Sequence, residues 1–361
     1  MNEDTGSIVT VDGRIAPEDL GVTLAHEHIF IDQVTSWFEP LTKPREQRLA
    51  EEPVTLENLS YVRTNPLQNK DNMMLDSTET ALDELSAFAR AGGGAVVDLT
   101  PTGIGADPEE VRRIGRGTGL DVVHGTAYYT YAAHPDYVAD MSLEEIADTF
   151  VDEVRNGIAG TDVRAGMVGE VGLSGSIHEQ EERVLRAGAR AALRTGASLN
   201  IHPPLFGPQP TPEGALAGLD IVEEEGLPLN RVVMSHMDQD HAAMANLDDH
   251  RRIADRGAYL EFDQWHAWSG YLAQKDKAYP SDATRVDALV ELIDDGYLEQ
   301  LLIGHDVCTK MQLETYGGKG YVYYHDVIVP WLRSRGVTPG ELDEIMIENP
   351  RRVLTFDAPD E

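Results

Sequence analysis

Eight short apolar runs punctuate the chain from Val22 onward: VTLAHEH (22–28), GAVVDLT (94–100), DVVHGTAYY (121–129), AGMVGEVG (165–172), SLNIH (198–202), RVVMSHM (231–237), YLEFD (259–263) and LLIGHD (301–306). Helical patterns separate them, several with legible starts. Ser77 opens one that runs to Arg90, Ser142 with Glu145 forms a capping box before EEIADTFVDEVRNGI, Thr211 with Pro212 opens another, and Thr338, Pro339 and Glu341 start the last. Strand alternating with helix predicts βαβ units and a parallel sheet. Eight strands predict an α/β fold of the (β/α)8 TIM-barrel type.

The 361 residues exceed the roughly 250 of a minimal barrel, which leaves room for long loops within a single domain. Residues 7–20, with Asp12-Gly13 between alternating positions, predict a hairpin that closes the barrel floor, followed by the barrel proper over 21–356. Two connections are long. About fifty residues lie between the first strand and the helix at Ser77–Arg90, and the aromatic-rich FDQWHAWSGYLAQKDKAYP follows the seventh strand. Connections of this length serve as lids or binding loops, and both are expected over one face.

Five of the strands place metal-ligand residue types where they should end: His26 and His28 on the first, Glu170 on the fourth, His202 on the fifth, His236 on the sixth and Asp306 on the eighth. In a barrel, that C-terminal end is the face that carries the site. Side chains at i and i+2 of a strand point the same way, so His26 and His28 reach one ion across Glu27. Imidazole and carboxylate suit zinc and its first-row neighbours, and a carboxylate such as Glu170 can bridge two ions about 3.5–4 Å apart. Two divalent cations are expected, zinc first, with manganese, cobalt or iron(II) as alternatives.

Composition narrows the partners. Asp and Glu number 63 against 29 Lys and Arg, a net charge of −34, and only six of the bases are lysine. Such a surface repels nucleic acid and anionic membranes, where neutralisation of phosphate by Lys and Arg dominates binding. It suits a salt-rich cytoplasm, as in a halophile, because the Debye length falls to about 3 Å at 1 M salt. The single cysteine, Cys308, excludes intramolecular disulfides, and no stretch reads as a signal peptide or membrane span. A cytoplasmic protein with a small-molecule substrate is expected, with a homodimer one option for its assembly.

The hairpin leading into GVTLAHEHI, the GEVGL, IHPP and SHMD segments, and the tail GHDVCTKMQLETYGGKGYVYYHDVIVPWLRSRGVTPGELDEIMIENPRRVLTF resemble the phosphotriesterase family of the amidohydrolase superfamily over nearly the whole chain. The tail looks like the phosphotriesterase-related branch. The resemblance implies that His26, His28 and Asp306 hold the more buried ion, that His202 and His236 hold the more exposed one, and that Glu170 bridges them. The organophosphate- and lactone-cleaving branches carry a carboxylated lysine at that bridge, and a histidine of a proton shuttle near Gln264. The first departure weakens an organophosphate reading, and the second implies that Asp306 works without that relay.

The expected reaction is hydrolysis of a carboxylic ester, lactone or N-acyl amide bond by a hydroxide shared between two ions, with Asp306 taking the proton and Asp263 next in line for that role. Tyr129, Lys310 and Trp265 are candidate substrate-binding residues, with Trp37 a further pocket wall. Lys310 stands out as a base beside the site in so acidic a chain, against the plainer reading of a salt bridge to a neighbouring acid. The rival readings are a phosphotriester hydrolase, a TatD-type deoxyribonuclease, which the charge disfavours, and a non-catalytic small-molecule binder, which a complete ligand set disfavours.

The charge balance yields an immediate expectation: the melting temperature should climb steeply between low and molar potassium chloride as screening relieves carboxylate repulsion. A melting temperature indifferent to salt over that range would mean an acidic protein with no halophilic character.

Overall fold

The computed structural model describes residues 3–206, 212–265, 270–272 and 275–359. Its centre is one eight-stranded sheet made of β1 (Thr23–Glu27), β2 (Ala95–Asp98), β3 (Asp121–Thr126), β4 (Met167–Gly172), β5 (Leu199–His202), β6 (Val232–Met234), β7 (Tyr259–Phe262) and β8 (Leu301–Ile303). Each strand pairs in parallel with the next in the chain. The ring closes where the amides of His305 and Asp306 donate to the His26 carbonyl at 3.3 and 3.1 Å. All eight strands fall inside the runs expected from the sequence.

The strands are apolar on both faces because both are buried. Ala95, Val97, Val123, Met167, Val233 and Leu302 point inward and pack with Ile8 and Leu20. Their alternating neighbours Val168, Ile201, Leu260 and Ile303 point outward against the helices. Ile8 and Leu20 flank the expected hairpin, Ile8–Thr10 paired with Gly13–Ile15, whose Val11 amide donates to Val122 O at 2.8 Å beneath the barrel.

Helices α1 (Thr78–Arg90), α2 (Pro108–Thr118), α3 (Leu143–Arg155), α4 (Glu179–Thr195), α5 (Glu213–Glu224), α6 (Asp248–Asp255) and α7 (Asp282–Asp294) surround the sheet. Ser77 caps α1, and Ser142 with Glu145 forms the capping box of α3. Thr338 and Glu341 form another before Pro339–Asp343. Of the expected start of α5, Pro212 occupies the N-cap, while Thr211 lies outside the described residues. Among the described residues, no helix is long and apolar enough to cross a membrane.

The long connection after β1 is folded in its own right. Ile31–Asp32 pairs antiparallel with Met74–Leu75, and the buried Asn69 amide ties Leu49 O and Glu52 O at 2.6 and 2.8 Å. The connection after β7 carries a second hairpin, Gly270–Leu272 against Lys277–Tyr279. The two meet above the C-terminal strand ends, where Leu67 and Met73 of the first share a cluster with Leu272 and Tyr279 of the second.

Barrel closure depends on one close approach. A Cβ on Gly304, between β8 and Asp306, would lie 2.5 Å from His26 O and 2.8 Å from His26 N. Gly304→Ala must therefore push β8 away from β1, and a stability loss of about 1–3 kcal/mol is expected in chemical unfolding. Wild-type stability in that variant would show that the seam is more pliable than its geometry implies.

Candidate metal centre

His26 and His28 leave β1 on the same side, and the strand ends of β4, β5, β6 and β8 bring Glu170, His202, His236 and Asp306 to meet them. His28 Nε2 lies 3.1 Å from Asp306 Oδ1 and 3.5 Å from Glu170 Oε1, while His26 Nε2 lies 3.6 Å from Glu170 Oε2 and 3.8 Å from Asp306 Oδ1. On the other side, His202 Nδ1 is 3.1 Å from Glu170 Oε2 and 2.9 Å from His236 Nε2. Glu170 thus touches both groups with its two oxygens. Ligand atoms on an ion bound at about 2.0–2.2 Å sit roughly 3–3.6 Å apart, the spacing found here. His236 and Asp306 sit at φ 57° and 49°, a left-handed conformation that non-glycine residues seldom adopt outside functional sites.

Two observations test whether cations fit. The His26 Nε2 atom is buried with no hydrogen-bond partner, although it points at two carboxylates. An orphan of that kind is what a metal ligand looks like without its ion. The second observation is charge: Glu170, Glu261, Asp263 and Asp306 are all buried around these rings, and among the described residues none pairs with lysine or arginine.

The protonation of the rings follows from that charge. Burial would lower His26, but hydrogen bonds to Asp263 and Glu261 and the charge of Glu170 hold it well above the ordinary histidine value. Burial likewise opposes the rise of His236, yet Asp263 lifts it to about 9. Burial would raise Glu170, but the imidazoles of His202, His26 and His28 pull it down to about 2. The acids thus favour positive charge at His26 and His236, while burial pushes His202 below the ordinary histidine value; divalent cations in the same space would supply that charge and release the protons.

A layer behind the ligands orients them, as metal-site histidines require. His26 Nδ1 lies 3.0 Å from Glu261 Oε2 and 3.1 Å from Ser235 Oγ, and Asn200 Nδ2 donates to the same Glu261 oxygen at 3.2 Å. His28 Nδ1 lies 2.9 Å from Thr100 Oγ1, and His236 Nδ1 lies 2.8 Å from Asp263 Oδ1. Gln264 Nε2 donates to Asp306 Oδ2 at 2.7 Å. The sequence reading had passed over Glu261, Ser235 and Asn200, although Glu261-x-Asp263 repeats the i, i+2 spacing of His26-x-His28.

A cleft of about 440 Å³, measured to its open mouth, lies above the centre; His28, His202, Gln264 and Asp306 line its floor, and Trp37, Phe206, Gln239 and Tyr279 its walls. Tyr129 is there as expected, with its hydroxyl 3.2 Å from His202 Nε2. Trp37 also lines it, 6.3 Å from His202 between ring centres. Two expectations need correction. Lys310 is turned away, its Nζ on Asp71 at 2.7 Å and Asp76 at 3.3 Å, because the loop after β1 delivers two acids to it. Trp265 is fully buried behind Gln264, packed on Tyr324 at 5.4 Å with its indole N–H on Phe262 O.

The phosphotriesterase family model matches residues 6–354. An N-acetyltaurine hydrolase from Danio rerio is 36% identical, with 99% of this chain and 100% of that protein covered. Among solved structures, a resiniferatoxin-binding protein from Rhodobacter sphaeroides superposes with a TM-score of 0.92 at 40% identity, covering 100% and 99% of the two chains. A lactonase from Listeria monocytogenes does so with a TM-score of 0.75 at 25% identity, covering 98% and 100%.

The purified protein should carry about two divalent ions per chain by elemental analysis, zinc foremost, with anomalous scattering placing both beside Glu170. One ion, or density remote from Glu170, would end the binuclear assignment.

Proposed function

The chain belongs to the phosphotriesterase family, and we propose that it is a binuclear metal-dependent hydrolase of carbonyl substrates, with N-acyl amines carrying an anionic tail first among them. The observation that carries this reading is the convergence of six ligand side chains beneath an open cleft, with His26 Nε2 among them left without a hydrogen-bond partner. Its substrate class is supported by the likeness, over whole chains, to enzymes named for N-acetyltaurine, an N-acyl amino sulfonate. Esters and lactones form a second class, supported by the likeness to the Listeria lactonase. The acidic composition disfavours a nucleic-acid substrate.

His26, His28 and Asp306 would hold one cation and His202 and His236 the other, with Glu170 between them; zinc is the first choice. Two such cations, when bound, polarise the scissile carbonyl and bring a water's pKa to about neutrality.

The side chains do the rest. Asp306 Oδ1 faces the ligand cluster while Oδ2 is held by the Gln264 amide, so its carboxylate is oriented to take a proton at the cleft floor. Gln264 has no ionisable proton, so it can position Asp306 but cannot relay what Asp306 receives. That proton leaves with the amine or alcohol released in the cleft, or to water at its mouth. Tyr129 offers a hydroxyl beside His202, where it can donate to the substrate carbonyl, and Trp37 with Phe206 lines the walls with apolar surface.

Asp306→Asn should fold normally and lose about 10²–10⁴-fold or more in kcat, because the amide cannot accept a proton. Glu170→Gln should instead lose metal, and excess zinc should restore part of its activity while leaving Asp306→Asn inactive. Turnover of N-acetyltaurine, a lactone and an aryl ester by metal-replete protein checks both; wild-type kcat in Asp306→Asn would move the proton-handling role to another group.

A further inference from the structure

Four of the six lysines pair with carboxylates: Lys43 with Glu46, Lys70 with Glu51, Lys275 with Glu39 and Lys310 with Asp71. Lys319 is over the Tyr323 ring at 3.8 Å. Lys277 is different. It is 8% exposed, and its Nζ donates to two neutral acceptors, Leu205 O at 2.7 Å and Gln239 Oε1 at 3.1 Å. Among the described residues, no carboxylate lies within ion-pair distance of it. An ammonium has three N–H bonds, and the third has no acceptor among those residues. A buried ammonium with no ion-pair partner among the described residues, in a chain with 63 acids, is an expensive arrangement to keep for structure alone.

Its position supplies a reason. Leu205 and Gln239, which Lys277 holds, line the cleft, as do Phe206 and Tyr279, whose ring centres lie 5.4 and 5.5 Å from its Nζ. These residues form the wall of the same cleft whose floor is the ligand cluster. We propose that Lys277 is the specificity-determining residue of this site, taking the sulfonate or carboxylate at the tail of an N-acyl amine whose carbonyl lies over the metal ligands. The inference rests on the hydrolase reading above and deepens it. Burial holds the ammonium below the ordinary lysine value, at about 8, with Asp240 opposing that fall, so an anion docked against it would also restore its charge. Lys275 is excluded from this role because Glu39 already neutralises it at 2.6 Å.

The test compares N-acetyl-β-alanine, which carries the anion, with its neutral counterpart N-propylacetamide, alongside calorimetric binding of ethanesulfonate to metal-replete protein. Lys277→Met should raise KM for the anionic amide about 10- to 100-fold, the weight of a charge-assisted hydrogen bond, with kcat changed far less. It should shift the neutral amide by no more than about threefold, and Lys277→Arg should recover most of the loss. If the methionine variant fails to fold, Lys277→Gln carries the same expectation. Equal losses on both amides without recovery in the arginine variant would reduce Lys277 to a structural tether and overturn the proposal, as would an unchanged KM. Should the wild type cleave neither amide, the substrate reading falls, and ethanesulfonate binding decides the proposal separately: binding lost in Lys277→Met supports it, and binding absent or unchanged overturns it.

Discussion

Four carboxylates, Glu170, Glu261, Asp263 and Asp306, stand out of water at one end of a barrel, and no lysine or arginine of the described residues reaches them. Buried negative charge of this density is untenable unless something positive is drawn into it. The His26 and His236 imidazoles meet that demand in part, and the acids around them hold both above the ordinary histidine value. The left-handed backbone at His236 and Asp306, the Gly304 approach to His26 and the Asn200–Ser235–Glu261 cluster all keep those side chains within reach of one another. The local strain is tolerable because the strands around it are buried on both faces and packed at each end, which holds the strand ends in place.

That barrel was legible because its information is local and repeated. Period-two alternation fixes which residues enter the interior, and the same rule carried His26 and His28 to one side and Glu27 to the other, where it accepts from the amides of His305 and Val307. The ligands were legible because each sits at a strand end, the one place where sequence position translates into position in the barrel. Glu261 and Asp263 obey the same rule; they were overlooked as a pair because a ligand set already looked complete without them.

Lys310, Trp265 and Lys277 show where that reasoning stops. Trp265 lies three residues past the end of β7 at Phe262, where alternation no longer decides which way a side chain points and packing against Tyr324 does. Lys310 finds Asp71, 239 residues earlier, in a connection whose folding depends on packing between short helices rather than on any period. Lys277 lies in a short hairpin of the other long connection, and what distinguishes it is that, among the described residues, it bonds neutral acceptors and pairs with no acid. Such a property belongs to the assembled loops and has no counterpart in composition.

Net charge and local charge work against each other in this protein. A chain with a net charge of −34 lowers the local concentration of any anionic substrate, so long-range steering cannot supply affinity for one. Recognition of an anion must then come from groups shielded from that surface field, at distances of a few ångströms and in a low-dielectric wall where one ammonium counts for more than it would in water. Divalent cations bound at the centre would be positive groups in such positions, as is the Lys277 ammonium. High salt would screen the outer repulsion and leave these buried contacts largely intact, since screening acts on exposed charges first. The same condition that relieves the fold of its carboxylate repulsion therefore also opens the approach to the site.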